Sequence, residues 1–166
     1  MFTLLAATTN KHKLAEIAEL MNDLDLELKS LNDFSKFPDV IEDGDTFEAN
    51  AIKKAKSYFD HFKMPVFADD SGLVVPALNG EPGVRSARYA GEKADYADNN
   101  ALLISKIVHL PEDQRAGKFV CTICYMDENH EHIITGTSEG TILGAYRGKG
   151  GFGYDPIFLL PEKQCA

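Results

Sequence analysis

Phe2–Ala7 is an almost unbroken apolar run, and a helical repeat follows within a few residues. Leu14, Ile17, Ala18 and Met21 fall at i, i+3, i+4 and i+7. A strand that is apolar on both faces needs cover on both, which helices on a largely parallel sheet supply. Strand, short polar turn and amphipathic helix, in that order, predict an α/β fold. Further on, Thr46 is placed to cap a second helix with the apolar stripe Ile52, Ala55, Phe59 and Phe62. Pro65–Ala68 reads as a short strand running into a turn at Asp69-Asp70-Ser71-Gly72. Residues 76–95 read as loop, Asp95–Leu110 as helix, and Lys118–Met126 with His130–Thr137 as a hairpin. A last strand is expected near Pro156–Leu160. Crossover helices together with a hairpin call for a mixed sheet.

The chain has 166 residues, enough for one domain or two tightly joined lobes. Its 44% hydrophobic and 26% charged residues are ordinary globular material. A formal net charge of −9 argues against duplex nucleic acid as a partner. No apolar run approaches the roughly 18 residues of a membrane span. Met1–Leu5 lacks the basic flank of a secretory leader, so a cytoplasmic protein is expected. Three cysteines are odd in number and few, which suggests reduced thiols. Cys121 and Cys124 spell C-x-x-C, but strand residues three apart face opposite sides, which argues against a shared metal or redox pair. Cys165 shows no partner in sequence. None of the five histidines shows ligand spacing, and all are expected at the surface.

Four segments could carry chemistry. Thr8-Thr9-Asn10-Lys11-His12-Lys13 lies between the first strand and helix, where a helix N-terminus and lysines suit phosphate. Simple helix capping by Thr9 or Asn10 explains the same residues. Glu42 stands in the acidic loop Pro38–Asp45, with Asn50 and Lys54 at i, i+4 on the following helix. That loop suits a hard cation such as Mg²⁺, or is an acidic surface leading to a capped helix. In Asp69-Asp70-Ser71-Gly72, Asp69 is the expected turn anchor and Asp70 the carboxylate facing a ligand; an Asx turn is the alternative. In Arg147–Pro156, glycines allow close backbone approach, and Phe152 and Tyr154 could stack on a flat base. A plain loop-to-strand turn is the other reading.

In this order, the four segments resemble the Ham1 family of inosine triphosphate pyrophosphatases. The matching stretches are Ala7–Ile17, Thr46–Ala55, Ala68-Asp69-Asp70-Ser71-Gly72-Leu73, Pro82–Gly91 and Gly151-Phe152-Gly153-Tyr154-Asp155-Pro156-Ile157-Phe158. The resemblance implies a long twisted mixed β-sheet with flanking helices, two lobes around a central cleft, and usually a homodimer. It implies hydrolysis of non-standard purine nucleoside triphosphates (ITP, dITP, XTP) to monophosphate and pyrophosphate. By the same resemblance, Thr8, Thr9, Asn10, Lys11, His12, Lys13 and Lys54 bind the triphosphate. Glu42 and Asp70 serve Mg²⁺, with Asp70 also the proton acceptor. Ser71 touches substrate, and Phe152, Gly153, Tyr154 and Asp155 line the nucleoside pocket. The family continues past the Tyr-Asp-Pro strand into a helix and a Ser-His-Arg segment that contacts the base. Residues 161–166 match none of it, so weak base discrimination is expected of a chain 1–166, and the alternative function is a nucleotide-binding protein without turnover.

Overall fold

The computed structural model describes residues 2–148 and 151–161. Lys149 and Gly150 of the glycine-rich segment, Cys165 and the rest of 162–166 lie outside the described residues. Among the described residues, three α-helices and six strands follow in the order β1 (Phe2–Ala6), α1 (Lys11–Leu20), β2 (Leu26–Ser30), α2 (Phe47–Phe62), β3 (Val66–Val74), α3 (Tyr96–Ile107), β4 (Ala116–Met126), β5 (Glu131–Ile142) and β6 (Phe158–Leu159). The strands form one sheet in the order β2-β1-β3-β4-β5-β6. β1 runs parallel to both β2 and β3, while β6 pairs antiparallel with β5 through Thr141↔Leu159 and Ile142↔Phe158. The sheet is therefore mixed and flanked by helices, as the opening pattern predicts.

The chain divides into two compact units. One is Met1–Asp70 with Thr122–Thr135; the other is Ser71–Cys121 with Gly136–Ala166. In the first, alternation along β1 builds two cores at once. Leu4 and Ala6 pack with Phe67 beneath Leu14, Ile17 and Met21 at the α1 side. Leu5 and Ala7 pack with Val66, Ala68 and the α2 residues Ala51, Ala55 and Tyr58. The expected stripe of α2 is present, with Ala55 fully buried and Ile52, Phe59 and Phe62 partly so. Thr46 caps α2 by accepting from the Ala49 N–H at 3.1 Å. In the second unit, Leu103 and Ile107 of α3 bury against Leu73, Val75, Ile142, Tyr154, Ile157 and Phe158.

Several boundaries differ from the sequence reading. β3 does not stop at Ala68: it continues through Asp69-Asp70-Ser71-Gly72 to Val74. Sheet pairing and partners for the acidic side chains override a composition that reads as a turn. β2 was not expected; its Leu26 and Leu28 alternate with Glu27 and Lys29 and stay only half-buried at the end of the sheet. The 76–95 stretch holds two 3₁₀ turns, Pro76–Leu78 and Gly83–Arg88. The hairpin strands are longer than expected, since β5 extends to Ile142.

Candidate active site

The period of two in β3 assigns its adjacent carboxylates to opposite faces. Asp69 shares the face of Phe67, toward α1, and Asp70 shares the face of Val66 and Ala68, toward α2. Their partners follow suit. Asp69 forms a short ion pair with the Lys13 ammonium on α1, while Asp70 Oδ2 accepts from Asn50 Nδ2 of α2 at 2.8 Å. Both aspartates are 7% exposed. This corrects the expected part of Asp69: it is a strand residue paired with Lys13, not the anchor of a turn.

Lys54, one turn beyond Asn50 on α2, bridges two groups. Its Nζ lies 2.8 Å from Glu42 Oε1 and donates to the Asp69 carbonyl oxygen at 2.7 Å. Buried cations and carboxylates in water-poor surroundings are retained only when paired in this way. The acidic loop is fixed from the other side by Asn50, whose Oδ1 accepts from the Gly44 N–H at 2.7 Å. Asp43 points outward to an exposed pair with Lys53, and that contact holds its carboxyl below the usual range. Glu42, Lys54, Lys13, Asp69 and Asp70 are thus tied into one polar network within a single unit.

The turn before α1 is ordered by its own short polar side chains. Thr8 Oγ1 accepts from the Asn10 N–H at 3.1 Å, and Asn10 Oδ1 accepts from His12 and Lys13 N–H groups at 2.9 and 3.3 Å. Asn10 is therefore the cap of α1. The Thr9 carbonyl accepts from Asn32 Nδ2 at 3.2 Å, which ties the turn to the residues after β2. Thr9, Lys11 and His12 are exposed, while Thr8, Asn10 and Lys13 are half-buried. Ser71, the next residue of β3, is half-buried too.

In the second unit, Gly151–Asp155 makes a self-bound turn. Asp155 Oδ2 accepts from the Phe152 N–H at 2.8 Å. A Cβ on Gly151 would run into that carboxylate, and its φ of 77° is left-handed. The Gly153 carbonyl accepts from Asn100 Nδ2 of α3 at 3.0 Å. Tyr154 does not fit the role of a base-stacking ring. It is 4% exposed, packs in the core, and donates its O–H to the Ser86 carbonyl at 2.8 Å. Burial first, then the neighbouring Tyr89 and Tyr96, pushes its phenol well above the ordinary range, so it remains a donor. Phe152 is half-buried, with its ring centroid 6.4 Å from that of Tyr96.

Asn100 and Ser86 are structural partners that sequence reading missed. Ser86 Oγ accepts from the Leu73 N–H at 2.8 Å and donates to the Gly83 carbonyl at 2.6 Å. Nothing in the spacing of these polar residues distinguishes them from surface side chains. Cys124 is buried and Cys121 half-buried, both as free thiols. Burial pushes the Cys124 thiol up to about 11. All five histidines are exposed.

The family description "Ham1 family" matches residues 4–166. A protein of Geobacter sulfurreducens named dITP/XTP pyrophosphatase is 49% identical to this chain, over 98% of it and 82% of its own length. A protein of the same name from Lactobacillus acidophilus is 47% identical, over 96% and 82%. Among solved structures, a HAM1 protein from Coxiella burnetii superposes with a TM-score of 0.90 at 40% identity, covering 99% of this chain and 85% of its own. On this match in sequence and fold, the chain belongs to the Ham1 family.

Proposed function

We propose that this chain hydrolyses non-standard purine nucleoside triphosphates (ITP, dITP and XTP) to the monophosphate and pyrophosphate, as an Mg²⁺-dependent enzyme of the nucleotide pool. The observation that carries this reading is the pairing of two lysines with acidic partners around Asp69 and Asp70: Lys13 on Asp69, and Lys54 on Glu42. A protein of net charge −9 holds a triphosphate only where such cations are concentrated. The names of the relatives favour turnover over binding alone. The family resemblance extends the proposal to a cytoplasmic homodimer.

The donor set fits Mg²⁺. Among the described residues, no group of three or more His, Cys, Asp or Glu gathers to enclose a metal. What is offered is carboxylate oxygen: Glu42, and Asp70 linked to the Glu42 loop through Asn50. Mg²⁺ takes one or two carboxylates and completes its shell with waters and substrate phosphates. Glu42 and Asp70 would hold it, and the chemistry it supplies there is neutralisation of phosphate charge.

The chain's own groups supply the rest. Lys13 and Lys54 exchange carboxylate partners for phosphate oxygens, and Thr8 to His12 line the same turn as shorter contacts. Asp70 orients a water on the α-phosphorus and takes its proton as the P–O bond to the β-phosphate breaks. Pyrophosphate leaves and the monophosphate keeps the new oxygen. Phe152 stacks on the base, with Gly153 and Asp155 shaping its turn. Ser71, directly after Asp70, touches substrate. Pyrophosphate release from dITP and XTP, with and without Mg²⁺, tests the reading: release that needs the metal supports it, and no release at any metal concentration refutes it.

A further inference from the structure

Asn50 is 0% exposed. A fully buried amide costs stability unless its groups are paired. Here Nδ2 donates to Asp70 Oδ2 at 2.8 Å and Oδ1 accepts from the Gly44 N–H at 2.7 Å. The two bonds use opposite ends of the amide, so flipping it would set oxygen against carboxylate and N–H against N–H. Gly44 is moulded to this contact: a Cβ there would lie 2.7 Å from Asn50 Oδ1 and 3.0 Å from the Ala49 Cβ. Glu42 stands two residues before Gly44 on the same loop.

We propose that Asn50 is a positioning residue for hydrolysis: its amide fixes the rotation of the Asp70 carboxylate and ties that carboxylate to the loop bearing Glu42. This rests on the function proposed above. A neutral donor suits the task. A lysine in its place would neutralise Asp70, and an aspartate would repel it, whereas an amide sets direction and leaves the charge intact. Because Asn50 is fully buried and its amide is engaged by Asp70 and Gly44, its loss should act on the chemical step more than on binding.

Asn50→Asp keeps size and the acceptor for Gly44 but removes the donor to Asp70 and sets a second carboxylate against it, so Gly44→Ala serves as the charge-neutral comparison. Misplacing a catalytic group by a fraction of its contact distance costs up to about 10²-fold. The expected result is a fall in kcat for dITP of that order with KM little changed. Gly44→Ala, which pushes on Asn50 from the loop, should lower kcat in the same sense. Their effects should fail to add, because both act through one contact. If Asn50→Asp does not fold, as judged by its melting curve, Gly44→Ala carries the kinetic test. The Asn50 side-chain amide resonance supplies a readout independent of turnover. It should move in Asp70→Asn and stay in place in Asp43→Asn. Unchanged kcat in the folded variants, a loss confined to KM, or a resonance indifferent to Asp70→Asn would overturn the proposal. Wild-type protein that releases no pyrophosphate would instead refute the function, and the resonance would still decide the contact.

Discussion

The Lys54 ammonium lies 2.8 Å from the Glu42 carboxylate, joining the second helix to the acidic loop before it. The pair is partly shielded, with side chains 14% and 31% exposed. Lys54 is thus held in place before any phosphate arrives. Lys54→Ala is expected to weaken triphosphate binding, and the loss should shrink as salt rises and screens the contact. Calorimetry at two ionic strengths measures it. Equal affinity for variant and wild type would take Lys54 out of the phosphate site.

Asp70→Asn keeps the shape of the site and the partner of Asn50 but removes the carboxylate proposed as proton acceptor. Turnover of dITP should fall by about 10²-fold or more while nucleotide binding persists. Asp69→Asn acts elsewhere, through loss of the Lys13 ion pair, and should change nucleotide affinity more than kcat. Steady-state kinetics on both variants separate the two faces of β3. Interchangeable effects would contradict the assignment by strand parity.

That parity was only half legible in the sequence. The apolar run of β1, the stripe of α1 and the Thr46 cap follow from periodicity and capping chemistry alone. Asp69-Asp70-Ser71-Gly72 misled because its composition is that of a turn, while its conformation is set by sheet neighbours remote in sequence. The buried position of Tyr154 was hidden for the same reason, since glycines around an aromatic look alike in a ligand loop and in a self-bound turn. Asn50 stood out at i, i+4 from Lys54, but its contact with Asp70 spans 20 residues and only the fold creates it.

Tyr154→Phe tests the structural role of that tyrosine. Removing the O–H leaves the Ser86 carbonyl unpaired in the core, at about 1–2 kcal/mol. A domain of this size should then melt about 2–8 °C lower, with KM for dITP unchanged. A raised KM without loss of melting temperature would return Tyr154 to the nucleoside pocket.

Asp127 closes the β4–β5 hairpin. Its carboxylate accepts from the Asn129 and His130 N–H groups, both at 2.8 Å, and from the Tyr125 O–H at 2.8 Å. These bonds, the Asn129 N–H foremost, lower its pKa from 3.8 to about 2. A depressed carboxyl pKa stabilises the fold above the unfolded value and loses that contribution as pH falls through the folded one. The melting-temperature advantage of wild type over Asp127→Asn should therefore be full above pH 4 and shrink toward pH 2, a window set by those two values. An advantage constant across that window would mean that the charge is not what the hairpin uses.

The central claim is cleavage between the α- and β-phosphates of a non-standard purine nucleotide. Its most direct measurement is product analysis of dITP and XTP incubated with the chain and Mg²⁺, with the Asp70→Asn variant alongside. Equal amounts of monophosphate and pyrophosphate, with turnover strongly reduced in the variant, are the predicted result. Nucleoside diphosphate and inorganic phosphate as products, or full turnover by Asp70→Asn, would contradict it.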